Sequence, residues 1–374
     1  MNFDFSDEQK HLQETARRYL EKNSTPAAVR AVLESDKGQD AGLWSGLAEM
    51  GLTGAAIAEE YGGAGLGYLE LCVIAEELGR ALAPVPFSST VYLFAEFVKL
   101  AGTPAQKTSH LPKIASGERV GTFAYAESAG EVTPDKIVAR VSAGRLSGTK
   151  LPVPDGLIAE YAVVAAHEAG SQPNALSLYL VDLKAQGVSR EPVKTVDPSR
   201  KHARITFDGA PAEKLGASGA GVSLISEIYD RAAILMAFEQ VGGADRALNM
   251  ARDYALQRMA FGRPIGSFQA IKHMLADMYV SATLARSNAY YGAWALSTGA
   301  HELPVAAATA RVSATQAFQH CSTNNIQVHG GMGFTWQFDC HLFYRRSNAL
   351  ALALGSQSHW EQLLIERLRR RNAA

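Results

Sequence analysis

Residues 258–271, Arg258-Met259-Ala260-Phe261-Gly262-Arg263-Pro264-Ile265-Gly266-Ser267-Phe268-Gln269-Ala270-Ile271, interrupt a long apolar-periodic region and decide how the second half of the chain is read. Gly262 and Pro264 break one helix, and a second begins at about Phe268. An arginine beside such a break offers a fork of donors to a phosphate pair. Arg258 can equally be a solvated charge at a helix C-terminus. A second segment, Gln327-Val328-His329-Gly330-Gly331-Met332-Gly333-Phe334, puts two glycines after a helix. There the backbone either approaches a ligand closely or the helix simply stops.

Outward from these segments, apolar spacing predicts long helices over about 222–257, 268–298 and 305–328. Thr298-Gly299 ends the second, and Pro304 suits the first turn of the third. A last amphipathic helix covers about 357–371 and ends in Arg369-Arg370-Arg371. Gly216-Ala217-Ser218-Gly219-Ala220-Gly221 reads as a hinge into this helical block. Between about 119 and 215 the period changes to two, with strands at 122–126, 137–141, 161–166, 176–181 and 204–207. Turn residues separate them, as at Ser142-Ala143-Gly144 and Gly170-Ser171-Gln172-Pro173-Asn174. Residues 1–118 read as helical: Ser6 and Gln9 form a capping box, Ala41–Met50 stops at Gly51, and the loop Tyr61–Gly67 precedes a helix at about 68–81. The expected fold is α+β and multidomain. A helical N-terminal domain (1–118) is followed by a β-barrel or sandwich domain (119–217) and a four-helix bundle (218–374).

Composition agrees with this size. The 374 residues are 47% hydrophobic and 20% charged, enough for two or three domains with ample core. That apolar fraction, with a formal net charge of only −1, excludes the disordered class, and the charge balance gives no electrostatic reason to bind nucleic acid or an anionic membrane. The start, MNFDFSDEQKHLQ, is acidic where a targeting peptide is basic, and no run approaches the ~18 apolar residues of a membrane span. Cys72, Cys321 and Cys340 lack CxxC spacing and read as reduced thiols, so the expected location is the cytoplasm. Trp336-Gln337-Phe338-Asp339-Cys340-His341 lacks metal-ligand spacing and reads as a surface turn. His329 reads as a packed helix-end histidine, and no metal is expected.

The two segments, in this order and spacing, resemble the acyl-CoA dehydrogenase family. The resemblance extends over nearly the whole chain, through Phe5-Ser6-Asp7-Glu8-Gln9, Glu59-Glu60-Tyr61-Gly62-Gly63, Ala75-Glu76-Glu77-Leu78-Gly79-Arg80 and Leu111-Pro112-Lys113-Ile114-Ala115-Ser116-Gly117. It implies FAD as cofactor. It also implies oxidation of an acyl-CoA thioester to the trans-2-enoyl-CoA in lipid metabolism, with electrons passed to an electron-transfer flavoprotein. By the same resemblance Arg258 would lie on the FAD pyrophosphate, Phe261 against the adenosine half and Gln269 nearby. Gln327, Gly330 and Gly331 would press on the same ADP portion, and these groups would reach FAD held mainly by a neighbouring subunit. An oligomer is therefore implied, whether homodimer, homotetramer or heterotetramer with a related chain. The flavin-ring strands depart from the family pattern. Ala126-Glu127-Ser128-Ala129-Gly130-Glu131 stands for Thr-Glu-Pro-x-Ala-Gly-Ser-Asp, and Pro152 and Pro154 replace the Trp and Thr that cover the ring. Proline has neither a hydroxyl nor a backbone N–H to offer.

The family's chemistry needs a carboxylate to remove the α-proton while a hydride leaves the β-carbon. Its usual Glu-Gly-Thr motif falls on Leu354-Gly355-Ser356, and the alternative position on the first bundle helix falls on Ala232. Neither side chain can accept a proton. Glu239 lies seven residues beyond Ala232, within about 20° of the same helix face, in an apolar stretch that would raise its pKa. It reads either as a substitute base or as a buried Glu paired with an Arg. Asp230 reads as a salt-bridge or helix-surface acid, and Glu76-Glu77 as a solvated face or part of an acyl-pocket wall. Three readings stay open: Glu239 is the base, a partner chain of an α2β2 enzyme supplies it, or the chain is a silent subunit.

Overall fold

The computed structural model describes residues 5–172 and 175–373; Pro173 and Asn174 of the predicted turn lie outside the described residues. In chain order the helical N-terminal part contains α1 (Asp7–Asn23), α2 (Pro26–Leu33), α3 (Ala41–Glu49), α4 (Tyr68–Arg80), α5 (Ala95–Ala101) and α6 (Pro104–Ala115). The middle part contains β1 (Gly121–Ala124), β2 (Arg140–Ser142), β3 (Arg145–Pro154), β4 (Tyr161–Glu168), β5 (Leu176–Asp182), β6 (Val188–Val193), β7 (His202–Pro211) and β8 (Glu213–Leu215). The rest contains α7 (Gly221–Gln257), a hairpin of β9 (Met259–Ala260) and β10 (Arg263–Pro264), then α8 (Gln269–Thr298), α9 (Leu303–His329), α10 (Cys340–Leu352) and α11 (Gln357–Ala373). Helix, sheet, helix is the order expected from the sequence.

Local chemistry explains the boundaries. Ser6 Oγ accepts from Gln9 N at 3.2 Å while Gln9 Oε1 accepts from Ser6 N at 2.9 Å, closing the capping box of α1. Gly299 ends α8 with φ 62, a left-handed conformation that costs glycine little. The turn between β2 and β3 has φ 48 at Ala143 and φ 72 at Gly144, the mirror-image geometry whose twist matches the strands it joins. Among the described residues no helix is long and apolar enough to cross a membrane, and no group of three or more His, Cys, Asp or Glu side chains could hold a metal ion.

The sheet runs β6-β7-β3-β2-β4-β5-β8, with β1 added parallel to β4. It does not close into a barrel. β8 is three residues long and pairs with β5, while β6 pairs with β7, so β6 and β8 remain edges. β4 and β5 are buried along almost their whole length, whereas β3 and β7 bury alternate residues. The first pattern marks strands covered on both faces and the second strands with one face toward solvent.

The described residues group into two compact units. One comprises residues 30–67 and 84–232, so it holds the sheet with α3, α5, α6 and a fully buried π-helix, Ser88–Phe94. Trp44 Nε1 donates to Gly117 O at 2.8 Å and Thr53 Oγ1 to Ala115 O at 2.8 Å, tying α3 and its following loop to the end of α6. The buried Lys150 donates to Glu127 Oε1 at 2.8 Å and to Tyr125 O at 3.0 Å. Burial pulls its pKa down to about 8 against the opposing pull of Glu127. Glu127 also accepts from the backbone of Val138 and Ala139, fixing the exposed loop between them.

The other unit comprises residues 1–29, 68–83 and 233–374. Its core face on α9 is built from Ala306, Ala307, Ala310, Ala314 and Ala317, small side chains that let neighbouring helices approach closely. Closest of all is the crossing of α4 and α7. A Cβ on Gly79 would lie 1.8 Å from Glu239 O, and one on Gly242 1.9 Å from Glu76 O. Glu76 and Glu77 are not a solvated face: both are buried at this crossing. Arg286 Nη1 lies 2.8 Å from Glu76 Oε1, Arg17 Nη2 2.7 Å from Glu77 Oε1, and Arg80 bridges both acids and Asp245. The unit thus sets three acids against three guanidiniums, because backbone contact at the crossing leaves the side chains nowhere wetter to go.

Replacement of Gly242 by Ala is expected to cost about 3 kcal/mol or more, since helix backbones and not a flexible side chain must move; thermal unfolding measures it. A second expectation concerns pH. Burial, then Arg119 and Lys113, push the His110 pKa down to about 4, and Arg119 Nη1 donates to its Nδ1 at 2.8 Å. The unfolded chain binds this proton below about pH 6.5 and the folded chain only near 4. Stability is therefore expected to fall by about 3 kcal/mol as pH drops through that window, and His110→Phe should flatten the slope in unfolding titrations.

Candidate cofactor and catalytic site

The residues that the sequence singles out converge at the ends of three helices in the second unit. α7 ends at Gln257, and Arg258 N closes the last turn on Tyr254 O at 2.8 Å. The chain then forms the β9–β10 hairpin, with Arg263 paired to Ala260 and Ile265 N returning to Arg258 O at 2.8 Å. Phe261 and Gly262 occupy the turn with φ 52 and φ 78, the two positive values of a mirror-image hairpin turn. A phenylalanine there is strained, and its ring is 96% exposed. The hairpin thus holds a large apolar ring in solvent at an energetic cost.

Gln269 is the first residue of α8, whose amino end has no side-chain cap. Arg263 stacks over Phe268, 4.1 Å from the ring centroid, so a cation stands beside those uncapped N–H groups. Gln327 lies in the last turn of α9, and Gly330 and Gly331 follow it with open space where a Cβ would stand. Tyr254, which the sequence did not single out, joins the two segments. One turn before Arg258, it stacks on His329 with ring centroids 4.0 Å apart. His329 Nδ1 donates to Asn325 O at 2.8 Å and burial lowers its pKa, so it is the packed helix-end histidine of the sequence reading. Arginine donors, uncapped helix N–H groups and open glycine backbone form a donor set suited to a nucleotide pyrophosphate, and the exposed Phe261 ring adds an apolar surface beside it.

The candidate base sits apart from this group. Glu239 is 1% exposed in α7, with Arg346 Nη1 3.7 Å from its Oε1, and Arg346 is equally buried. Of its two sequence readings, the structure displays the buried Glu with an arginine beside it. Arg311 lies in the same buried neighbourhood, donating to Gln240 Oε1 at 2.5 Å, to Ala353 O at 2.7 Å and to Leu350 O. Burial lowers the Arg311 pKa to about 9, with Glu239 opposing. These bonds cap the carbonyl end of α10 and hold the turn that follows. In that turn Leu354 takes φ 61, is 9% exposed, and its carbonyl accepts from Trp360 Nε1 at 3.1 Å. Ala232 is fully buried, and Asp230 is buried too and not at the helix surface. The Trp336–Asp339 stretch is the surface turn expected, but Cys340 is buried and opens α10.

Sequence profiles of the acyl-CoA dehydrogenase N-terminal and C-terminal domains match residues 6–118 and 219–368. The chain belongs to the acyl-CoA dehydrogenase family. It is 34% identical over 352 residues to the acyl-CoA dehydrogenase IpdE2 of Mycobacterium tuberculosis, covering 94% of each chain. Among solved structures it resembles a variant of the Tcur3481-Tcur3483 steroid ACAD, with a TM-score of 0.89, 33% identity, and 98% and 99% of the two chains covered. It also resembles the ChsE4-ChsE5 complex from Mycobacterium tuberculosis, with a TM-score of 0.87, 26% identity, and 100% and 99% covered. Members of this family bind FAD, and the acyl-CoA dehydrogenases are oxidoreductases of CH–CH bonds.

In this acyl-CoA dehydrogenase the strained hairpin gives a direct test. Phe261→Gly is expected to raise the unfolding free energy by about 0.5–1 kcal/mol, because glycine adopts the left-handed turn without strain. Chemical denaturation with unchanged slope would show it.

Proposed function

We propose that this chain is the FAD-supporting subunit of a heteromeric acyl-CoA dehydrogenase whose proton-abstracting carboxylate comes from a related partner chain. The observation that carries the reading is Leu354: the family's base position holds a buried leucine in a turn fixed by Arg311 and Trp360. The pairing of Glu239 with Arg346 supports its reading as a buried counter-ion rather than as the base. The two-chain names of the steroid ACAD and ChsE4-ChsE5 structures support a partner of the same family. On this reading the sequence domains are 1–118, 119–217 and 218–374, and the complex works in the cytoplasm.

Arg258 would hold the pyrophosphate of FAD, Phe261 would lie against its adenosine half with Gln269 hydrogen-bonding nearby, and Gln327, Gly330 and Gly331 would close on the same ADP portion. When bound, FAD supplies the two-electron acceptor for the β-hydride, and an electron-transfer flavoprotein takes the electrons onward. The exposed apolar side chains Tyr279, Val280 and Leu284 on α8, with Phe334 and Trp336 beyond α9, supply a surface for the partner. The steroid ACAD relationship makes a bulky polycyclic acyl-CoA the first substrate to try.

The test is expression of this chain alone and together with a family member that carries a Glu at the base position. The reading expects a flavin band near roughly 450 nm, bleached by acyl-CoA, only from the co-expressed pair. Bleaching by the chain alone would overturn it. Within the complex, Glu239→Gln should cost about 3 kcal/mol of stability yet leave bleaching intact, since it disturbs a buried ion pair and not the base. Loss of bleaching with FAD content unchanged would make Glu239 the base.

A further inference from the structure

The unit that carries α8–α11 contains a cleft of about 360 Å³ lined by none of Glu239, Arg258, Phe261, Gln269, Gln327, Gly330, Gly331 or Leu354. Leu20, Val29, Met250, Leu342 and Phe343 give it an apolar lining. One wall is the carbonyl end of α4, and it is held without a ligand. Leu82 takes the left-handed φ 49, Ser24 Oγ donates to Ala81 O at 3.0 Å, and Arg346 Nη2 donates to Leu82 O at 3.2 Å.

The charges in the lining divide into two sets. Arg17 and Arg80 are committed to Glu77, Arg80 also to Asp245, and Asp339 has interactions of its own. Arg246 and Glu21 are different: both line the cleft, both are exposed, and among the described residues neither has a hydrogen-bond or ion-pair partner. Glu21 feels Arg17 only as a weak, longer-range attraction. Arginines and acids in the lining balance, three of each, so the cleft offers no excess of positive charge to a phosphate or a dicarboxylate. It offers one uncommitted charge of each sign around an apolar surface. The carbonyl end of α4 adds the negative end of a helix dipole, which favours a cation beside Ala81 and Leu82.

We propose that this cleft binds a free apolar α-amino acid. Its carboxylate would take the fork of Arg246, its ammonium would lie between Glu21 and the end of α4, and its side chain would cover Met250 and Phe343. The volume lies at the small end of ligand pockets, which suits a molecule of this size. The proposal is independent of where the catalytic base comes from.

Calorimetric titration of the full chain, alone and in its co-expressed complex, with L-phenylalanine and L-leucine tests it. 3-Phenylpropionate and phenethylamine, each carrying one of the two charges, are the controls. Millimolar or tighter binding of the amino acids is expected, with each control weaker by about tenfold or more. Arg246→Met and Glu21→Gln should each weaken the amino acid by about tenfold while leaving the unfolding temperature and flavin content unchanged. The proposal is overturned if neither amino acid binds at tens of millimolar. Equal binding of either control, or wild-type affinity in either variant, would overturn it as well.

Discussion

Backbone-to-backbone contact between α4 and α7 sets the constraint on which the bundle unit depends. Gly79 faces the carbonyl of Glu239, and Gly242 faces the carbonyl of Glu76, each at a distance no Cβ could share. Helices this close bury whatever flanks the contact, and here the flanking residues are acids. The three guanidiniums of Arg17, Arg80 and Arg286 are therefore a requirement of the crossing and not an ornament, since an unpaired carboxylate there would be costly. Burial raises the Glu76 pKa against the opposing pull of Arg286 and Arg80.

One turn along α7 from Gly242, the same packing places Glu239 and Gln240 inside the unit, where Arg346 and Arg311 meet them. Arg311 then reaches the carbonyls that end α10, so the turn containing Leu354 is tied back to the crossing through a short chain of polar contacts. The turn therefore holds Leu354 in a geometry set by many residues, with Arg311 on the carbonyls before it and Trp360 on its own. On the proposed function it is the identity of that one side chain that calls for a partner.

Much of the fold was legible because its signals are local. Pro304 in the first turn of α9, Gly299 after α8 and the Ser6–Gln9 box before α1 each act within one helical turn. The period-two stretches became strands at nearly the expected places. Less legible were the segments whose order comes from burial or pairing: the π-helix Ser88–Phe94, α2, α5, α6 and α10, and the strands β3, β6 and β8. The π-helix has no apolar period to read, since all seven of its residues are buried. The open sheet was likewise beyond pattern reading, because closure depends on whether β6 meets β8 and not on either strand's own sequence.

The sequence by itself determined the order of helix, sheet and helix, the breaks that shape the β9–β10 hairpin, and the absence of a carboxylate at residue 354. All three are matters of residue identity and of spacing along the chain. Only the tertiary structure decided that Glu239 lies beside Arg346, that Glu76 and Glu77 are buried, and that Tyr254 joins the two segments around Arg258 and Gly330. Charge state and accessibility depend on which helices touch. That contact was set by Gly79 and Gly242, too far apart along the chain for sequence periodicity to carry any information about their meeting.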